Sequence, residues 1–161
     1  MEDGTSIEIS LYERDFTAWA EAQAEALRRR GAGRDLLDYD NLAEEIEDVA
    51  KHVARTCRSY LDVIIEHLLK LQFAPSAQDE RGWKASVKVA RRDLSRELTP
   101  TLRARLPDEL AELFEDRLEI LEAYRTLADA DIVRAELPVG YSWEQLTDPD
   151  WWPPRTRNGE A

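Results

Sequence analysis

Disulfides, thiolate metal clusters and membrane spans are all excluded by what this sequence lacks. It holds a single cysteine, Cys57, so no intrachain disulfide and no cysteine-based metal cluster can form. A lone cysteine on an apolar helix stripe serves as a small hydrophobe. Two histidines, His52 and His67, are too few for a three-histidine centre within one chain. No apolar run approaches the ~20 residues that a spanning helix needs. The opening MEDGTSIEIS has neither a basic head nor an apolar core, so it is no secretion signal and a cytoplasmic protein is expected. There is no Gly-x-Ser-x-Gly elbow, no phosphate-binding loop and no dinucleotide fingerprint. Strand-like alternation and internal repeats are absent as well.

What is present is charge on helical spacing. Of the 161 residues, 43 % are hydrophobic and 35 % charged, with only six glycines. That balance is too apolar for disorder and reads as solvated helix faces around one core. A chain of this length buries roughly 68–70 % of its unfolded surface, so a single domain over 1–161 is expected. The net charge is −12, which repels phosphate backbones and anionic lipid, and neither nucleic acid nor membrane is expected as a partner. Residues 35–48 carry seven acids and no base, while residues 81–105 carry eight bases and two acids. The two segments are expected to be packing neighbours with facing charges.

The chain is organised around one long helix. Leu42, Ile46, Val49, Val53, Cys57, Tyr60, Ile64, Leu68 and Leu71 follow steps of three and four, which predicts a helix over Asn41–Phe73. It would be about 50 Å long at ~1.5 Å per residue. Asn41 and Glu44 fit a capping box at its start, and Pro75 ends it. Before it, a helix is expected over Glu13–Arg30, closed by Gly31-Ala32-Gly33. After the short connector Pro75–Gln78 comes a helix over Asp79–Leu98 carrying Trp83, Val87, Ala90, Leu94 and Leu98. Thr101–Leu106 forms one turn. Pro107 opens a fourth helix that fades at Asp129–Asp131. Ser142 and Gln145 form a second capping box. The expected fold is all-α: an up-down bundle of about four main helices with one long central helix and a docked C-terminal segment. The ordered core spans about 11–154, with residues 1–10 and 155–161 expected to be disordered.

The carriers of chemistry are few. Glu44, Glu45 and Asp48 lie on one helix, and two carboxylates spaced by four can share a hard cation such as Mg²⁺. Helical nucleotide pyrophosphohydrolases use such a set with a second acidic pair. Here the later acids, Asp62 and Glu66, lie roughly two dozen ångströms along the same helix at ~1.5 Å per residue. Helix-entry electrostatics is therefore the preferred reading, and no metal or catalytic residue is assigned. His67 is expected to be buried and hydrogen-bonded, and His52 to pair with Asp48 at the surface. Lys84, Lys88 and Arg91 form a basic stripe beside Trp83, a nucleic-acid pattern that the net charge opposes.

A family resemblance joins these residues. Tyr12, Asp15-Phe16 and Trp19, then Leu42-Ala43-Glu44-Glu45-Ile46-Glu47, come first. His67-Leu68-Leu69-Lys70, Gln72, Pro75, Trp83 and Ser86 follow, and Tyr141–Leu146 with Asp150-Trp151 closes the pattern. Over about Tyr12 to Pro153 the chain resembles the DUF29 family of small bacterial proteins. It departs at Leu71, where a tryptophan is expected, and at Asp129–Val133. The resemblance implies an all-helical domain of unknown function and supplies no catalytic residues.

Two functions remain in view. One is a non-enzymatic helical interaction module that self-associates as a homodimer, with no cofactor. The other is a metal-dependent hydrolase of a nucleotide or small phosphate ester using the helix carboxylates. For the first, Leu61, Ile65 and Leu69 lie off the main stripe of the long helix and call for a cover, which a second copy would supply. Trp151 and Trp152 are further candidates. With Trp143 they put three of the five tryptophans within twelve residues, so the segment Tyr141–Trp152 is expected to dock.

Overall fold

Helix is the only regular structure among the described residues of the computed structural model, which are 10–30, 38–74, 79–127 and 129–156. The helices are α1 (Leu11–Arg14), α2 (Phe16–Arg30), α3 (Tyr39–Phe73), α4 (Glu80–Glu97), α5 (Pro100–Arg105), α6 (Leu110–Ala123), α7 (Ala130–Glu136) and α8 (Trp143–Thr147), with a 3₁₀ turn at Leu106–Glu109. None is long and apolar enough to cross a membrane. The all-α expectation holds. The expected breaks at Gly31–Gly33 and Pro75–Gln78 and the ends 1–9 and 157–161 lie outside the described residues. The chain divides into two compact units, Met1–Arg55 with Thr99–Ala104, and Thr56–Leu98 with Arg105–Ala161.

In the first unit, aspartate and serine side chains set the helix starts. Ser10 caps α1 in a reciprocal box with Glu13. The expected single helix over Glu13–Arg30 is broken at Asp15, which leaves the helical region. Its carboxylate accepts from Ala18 N at 3.0 Å and thereby caps α2. The same carboxylate accepts from Thr101 N at 2.7 Å and Thr101 Oγ1 at 2.8 Å, holding the start of α5. Burial alone would raise the Asp15 carboxyl, but these donors outweigh it and hold the group below the usual carboxylate range. Thr99 Oγ1 donates to Thr17 Oγ1 at 2.9 Å.

The start of α3 lies earlier than the capping box at Asn41 implies. Asp38 takes the cap: it accepts from Asn41 N at 3.2 Å and from Asn41 Nδ2 at 2.6 Å. Asn41 therefore sits within the first turn. The core of this unit is built from small side chains, Ala20 and Ala24 of α2 and Ala43 and Ala50 of α3. An alanine face lets helices approach closely, and it turns the larger apolar residues of α3 to the edge. Leu42 is 39 % exposed and Val49 50 %. Arg28 of α2 pairs with Glu47 of α3.

In the second unit, α3 is apolar around most of its circumference. Ile64 and Leu68 are fully buried, and so are Leu61 (0 %), Ile65 (1 %) and Leu69 (0 %). This corrects the expectation that the last three wait for a second copy. The same chain covers them, and a later segment is bonded along one face of α3. Arg58 of α3 holds Glu109 in a two-pronged pair, one arm at 2.9 Å, and Arg117 of α6 reaches Asp62 at 3.1 Å. On α6, Leu110, Phe114, Leu118 and Leu121, spaced by four, four and three, face inward. Tyr124 does not. The helix ends at Ala123, Arg125 takes a left-handed φ of 52°, and Tyr124 is left 80 % exposed.

One helix of this unit was not expected at all. Asp129 accepts from Asp131 N at 2.9 Å and starts α7, which buries Ala130 and Val133. Gly140 follows at φ +70°, and a Cβ there would lie 2.7 Å from Phe114 Cγ. Both the turn and the close approach require glycine. The box at Ser142 and Gln145 forms as the sequence implies.

Candidate interaction surface

The C-terminal segment docks through one cation. Arg91 of α4 is 5 % exposed, where the sequence suggested a surface stripe. Its Nε donates to the Leu146 carbonyl at 2.9 Å, Nη1 to Trp151 O at 2.9 Å and Nη2 to Gln145 O at 2.7 Å. The guanidinium also lies 5.2 Å from the centroid of the Trp152 ring, which Lys84 flanks at 5.9 Å. The planar fork of arginine is what allows three carbonyls to be held at once. Burial pushes the Arg91 guanidinium down from its ordinary value, with Asp148 opposing. Tyr141 completes the dock. Its hydroxyl donates to Gln72 Oε1 at 2.9 Å, and its ring packs edge-on against Phe114 and Trp151. Thr156 N donates to the Gln72 carbonyl at 2.9 Å, two residues past the expected limit of order. Lys84, Arg91, Trp151 and Trp152 are therefore engaged within the chain.

The acids of the sequence are scattered among local partners. Asp48 pairs with Lys51 at 3.0 Å, so its ion-pair partner is not His52. Glu44 and Glu45 are exposed. Asp62 and Glu66, the later pair, are both drawn to Arg117, at 3.1 and 3.4 Å, and Glu66 also to Lys70. Burial raises the Asp62 carboxyl above its ordinary value despite Arg117. Glu66 is held below its own, its burial outweighed by Lys70. Among the described residues, no three His, Cys, Asp or Glu side chains converge on a point where a metal ion could sit. His67 departs from its expectation. It is half-buried, and its Nδ1 is enclosed without a hydrogen-bond partner among the described residues. Burial pushes its pKa down and favours the neutral ring.

The acidic and basic segments also find partners near at hand. Glu47 goes to Arg28, Lys84 to Glu80, and Arg92 and Arg96 to Asp93 at 2.9 and 3.6 Å. Two of these, Lys84 with Glu80 and Arg96 with Asp93, are pairs three or four apart on one helix.

One concave apolar surface stands open on the second unit. Tyr60 and Val63 of α3 face Ala85, Val89 and Ala90 of α4 across a groove of about 420 Å³, with Asp93 at its end. Small residues on α4 make it. Ala85, Ser86 and Ala90 line it with short side chains. Val89 is 49 % exposed and Val63 37 %. The sequence signal was available but weak: Val63 and Val89 are apolar positions that fall off the buried stripes of their helices.

A family model described as "Domain of unknown function DUF29" matches residues 11–152. The chain is similar to an α-helical protein of unknown function from Rhodospirillum rubrum, solved as a crystal structure. The two share 24 % identity and a TM-score of 0.68, over 89 % of this chain and 93 % of that one. That likeness concerns the fold. No curated protein matches the chain.

Proposed function

The chain belongs to the DUF29 family, a domain of unknown function, and on its own geometry we propose that it is a non-enzymatic helical interaction module that self-associates. The observation that carries this reading is the open apolar groove between α3 and α4. Apolar side chains exposed side by side in a concavity gain from being covered, at roughly 25 cal/mol per Å². The contact surface is not Leu61, Ile65 and Leu69, which the chain's own core occupies. The hydrolase alternative is not favoured by the surroundings of Glu44, Glu45 and Asp48: Glu44 and Glu45 are exposed and Asp48 pairs with Lys51. Light scattering of the full chain across a concentration series is the test. A mass rising reversibly toward twice 18.6 kDa at tens of micromolar supports the module. A mass of one chain at every concentration overturns it.

A further inference from the structure

The groove has a complement elsewhere on the same chain. On the first half of α3, Leu42, Ile46, Val49 and Val53 follow the i, i+4, i+7, i+11 spacing of a helix that lies in a groove. Leu42 and Val49 are exposed. The solvent side of that edge is acidic, with Asp38, Glu45 and Asp48 exposed beside it. Glu45 has no ion-pair partner among the described residues. The groove has the opposite border. At 100° per residue along α4, Arg81, Lys88 and Arg92 fall to the outer side of Val89 and Ala85, and all three are exposed, Arg92 already paired with Asp93 of the groove lining. Arg81 and Lys88 have no ion-pair partner among the described residues.

An apolar stripe with an acidic border and an apolar groove with a basic border are complementary in both shape class and charge. We propose that the groove of one copy receives the acidic α3 stripe, Leu42 to Val53, of a second copy. The proposal rests on the self-associating module above and names what that association buries. Each copy carries one stripe and one groove, so reciprocal docking is the closed two-fold arrangement such a pairing permits. The overall charge of −12 opposes approach of two copies at long range. At physiological salt that repulsion is screened beyond about 8 Å, while bordering charges in contact are not.

Complementation between two variants is the experiment. Val49→Arg places a base in the stripe and Val89→Arg a base in the groove. Both sites are half exposed, so far-UV circular dichroism should show wild-type helicity for each. Each variant alone is expected to be a monomer by light scattering, with association weakened at least about tenfold. An equimolar mixture restores a 1:1 pair, because one intact stripe still meets one intact groove. Raising the ionic strength should weaken wild-type association several-fold, since acidic and basic borders attract. If Val49→Arg remains a dimer while Val89→Arg does not, the groove meets another surface. The inference then falls and the module stands. A mixture that stays monomeric, or association that does not weaken with salt, also overturns the inference. A wild type that is monomeric throughout overturns both.

Discussion

Replacing Arg91 by alanine is expected to destabilise the protein by about 3–5 kcal/mol, the range for removing one member of a buried charged contact. Three carbonyls, of Gln145, Leu146 and Trp151, lose their donor together. Each such charge-assisted bond contributes about 1.5–3 kcal/mol, and their losses overlap because they share one cation. The stack on Trp152 is lost as well, about 0.5–2 kcal/mol by itself. A fall in melting temperature of roughly 8–15 °C follows for a chain of this size. Arg91→Lys keeps the charge and loses the fork, so it should recover less than half of the deficit. Urea unfolding followed by circular dichroism gives both values. A midpoint for Arg91→Ala equal to that of the wild type would show that the C-terminal segment rests on the bundle without being held by it.

Leu61→Asp should be more severe still. Leu61 is wholly buried in the second unit, and nothing in an apolar core compensates a carboxylate there. The cost is roughly 4–5 kcal/mol or more, enough to unfold many domains. The expected product is poorly soluble with little helical signal. Were the Leu61, Ile65 and Leu69 face a dimer surface, the outcome would be the opposite: a folded, soluble monomer. Circular dichroism of the purified variant separates the two.

The contrast shows which parts of the fold were legible in the sequence. The end of α3 at Phe73 and the capping box at Ser142 are local signals, decided within a few residues, and both are found where the sequence puts them. Aspartate caps were harder to see. Asp15, Asp38 and Asp129 each start a helix without the glutamate three residues on that marks a box, so the sequence pattern joins α1 to α2, starts α3 late and gives no sign of α7. Apolar spacing says that Leu61, Ile65 and Leu69 are covered, but not whether the cover comes from the same chain. Arg91 was the least legible. Its carbonyl partners lie 54–60 residues further along, and carbonyls leave no mark in a sequence. An arginine between two other bases looks like a surface stripe until its docking segment is in place. The groove escaped for a related reason, since it is defined by small side chains on two helices.

Whether that groove is covered on association is best measured by the reactivity of a thiol placed in it. Cys57, the one native cysteine, is buried, and burial pushes its thiol up to about 11, so it reacts slowly. Val89→Cys therefore adds a single accessible thiol at the rim of the groove. Alkylation of that thiol is expected to slow several-fold as the protein is concentrated from well below to well above its dissociation constant, and to recover its rate on dilution. An alkylation rate that is the same at every concentration, in samples whose mass shows association, would contradict the account, because the copies would then be meeting through some other surface.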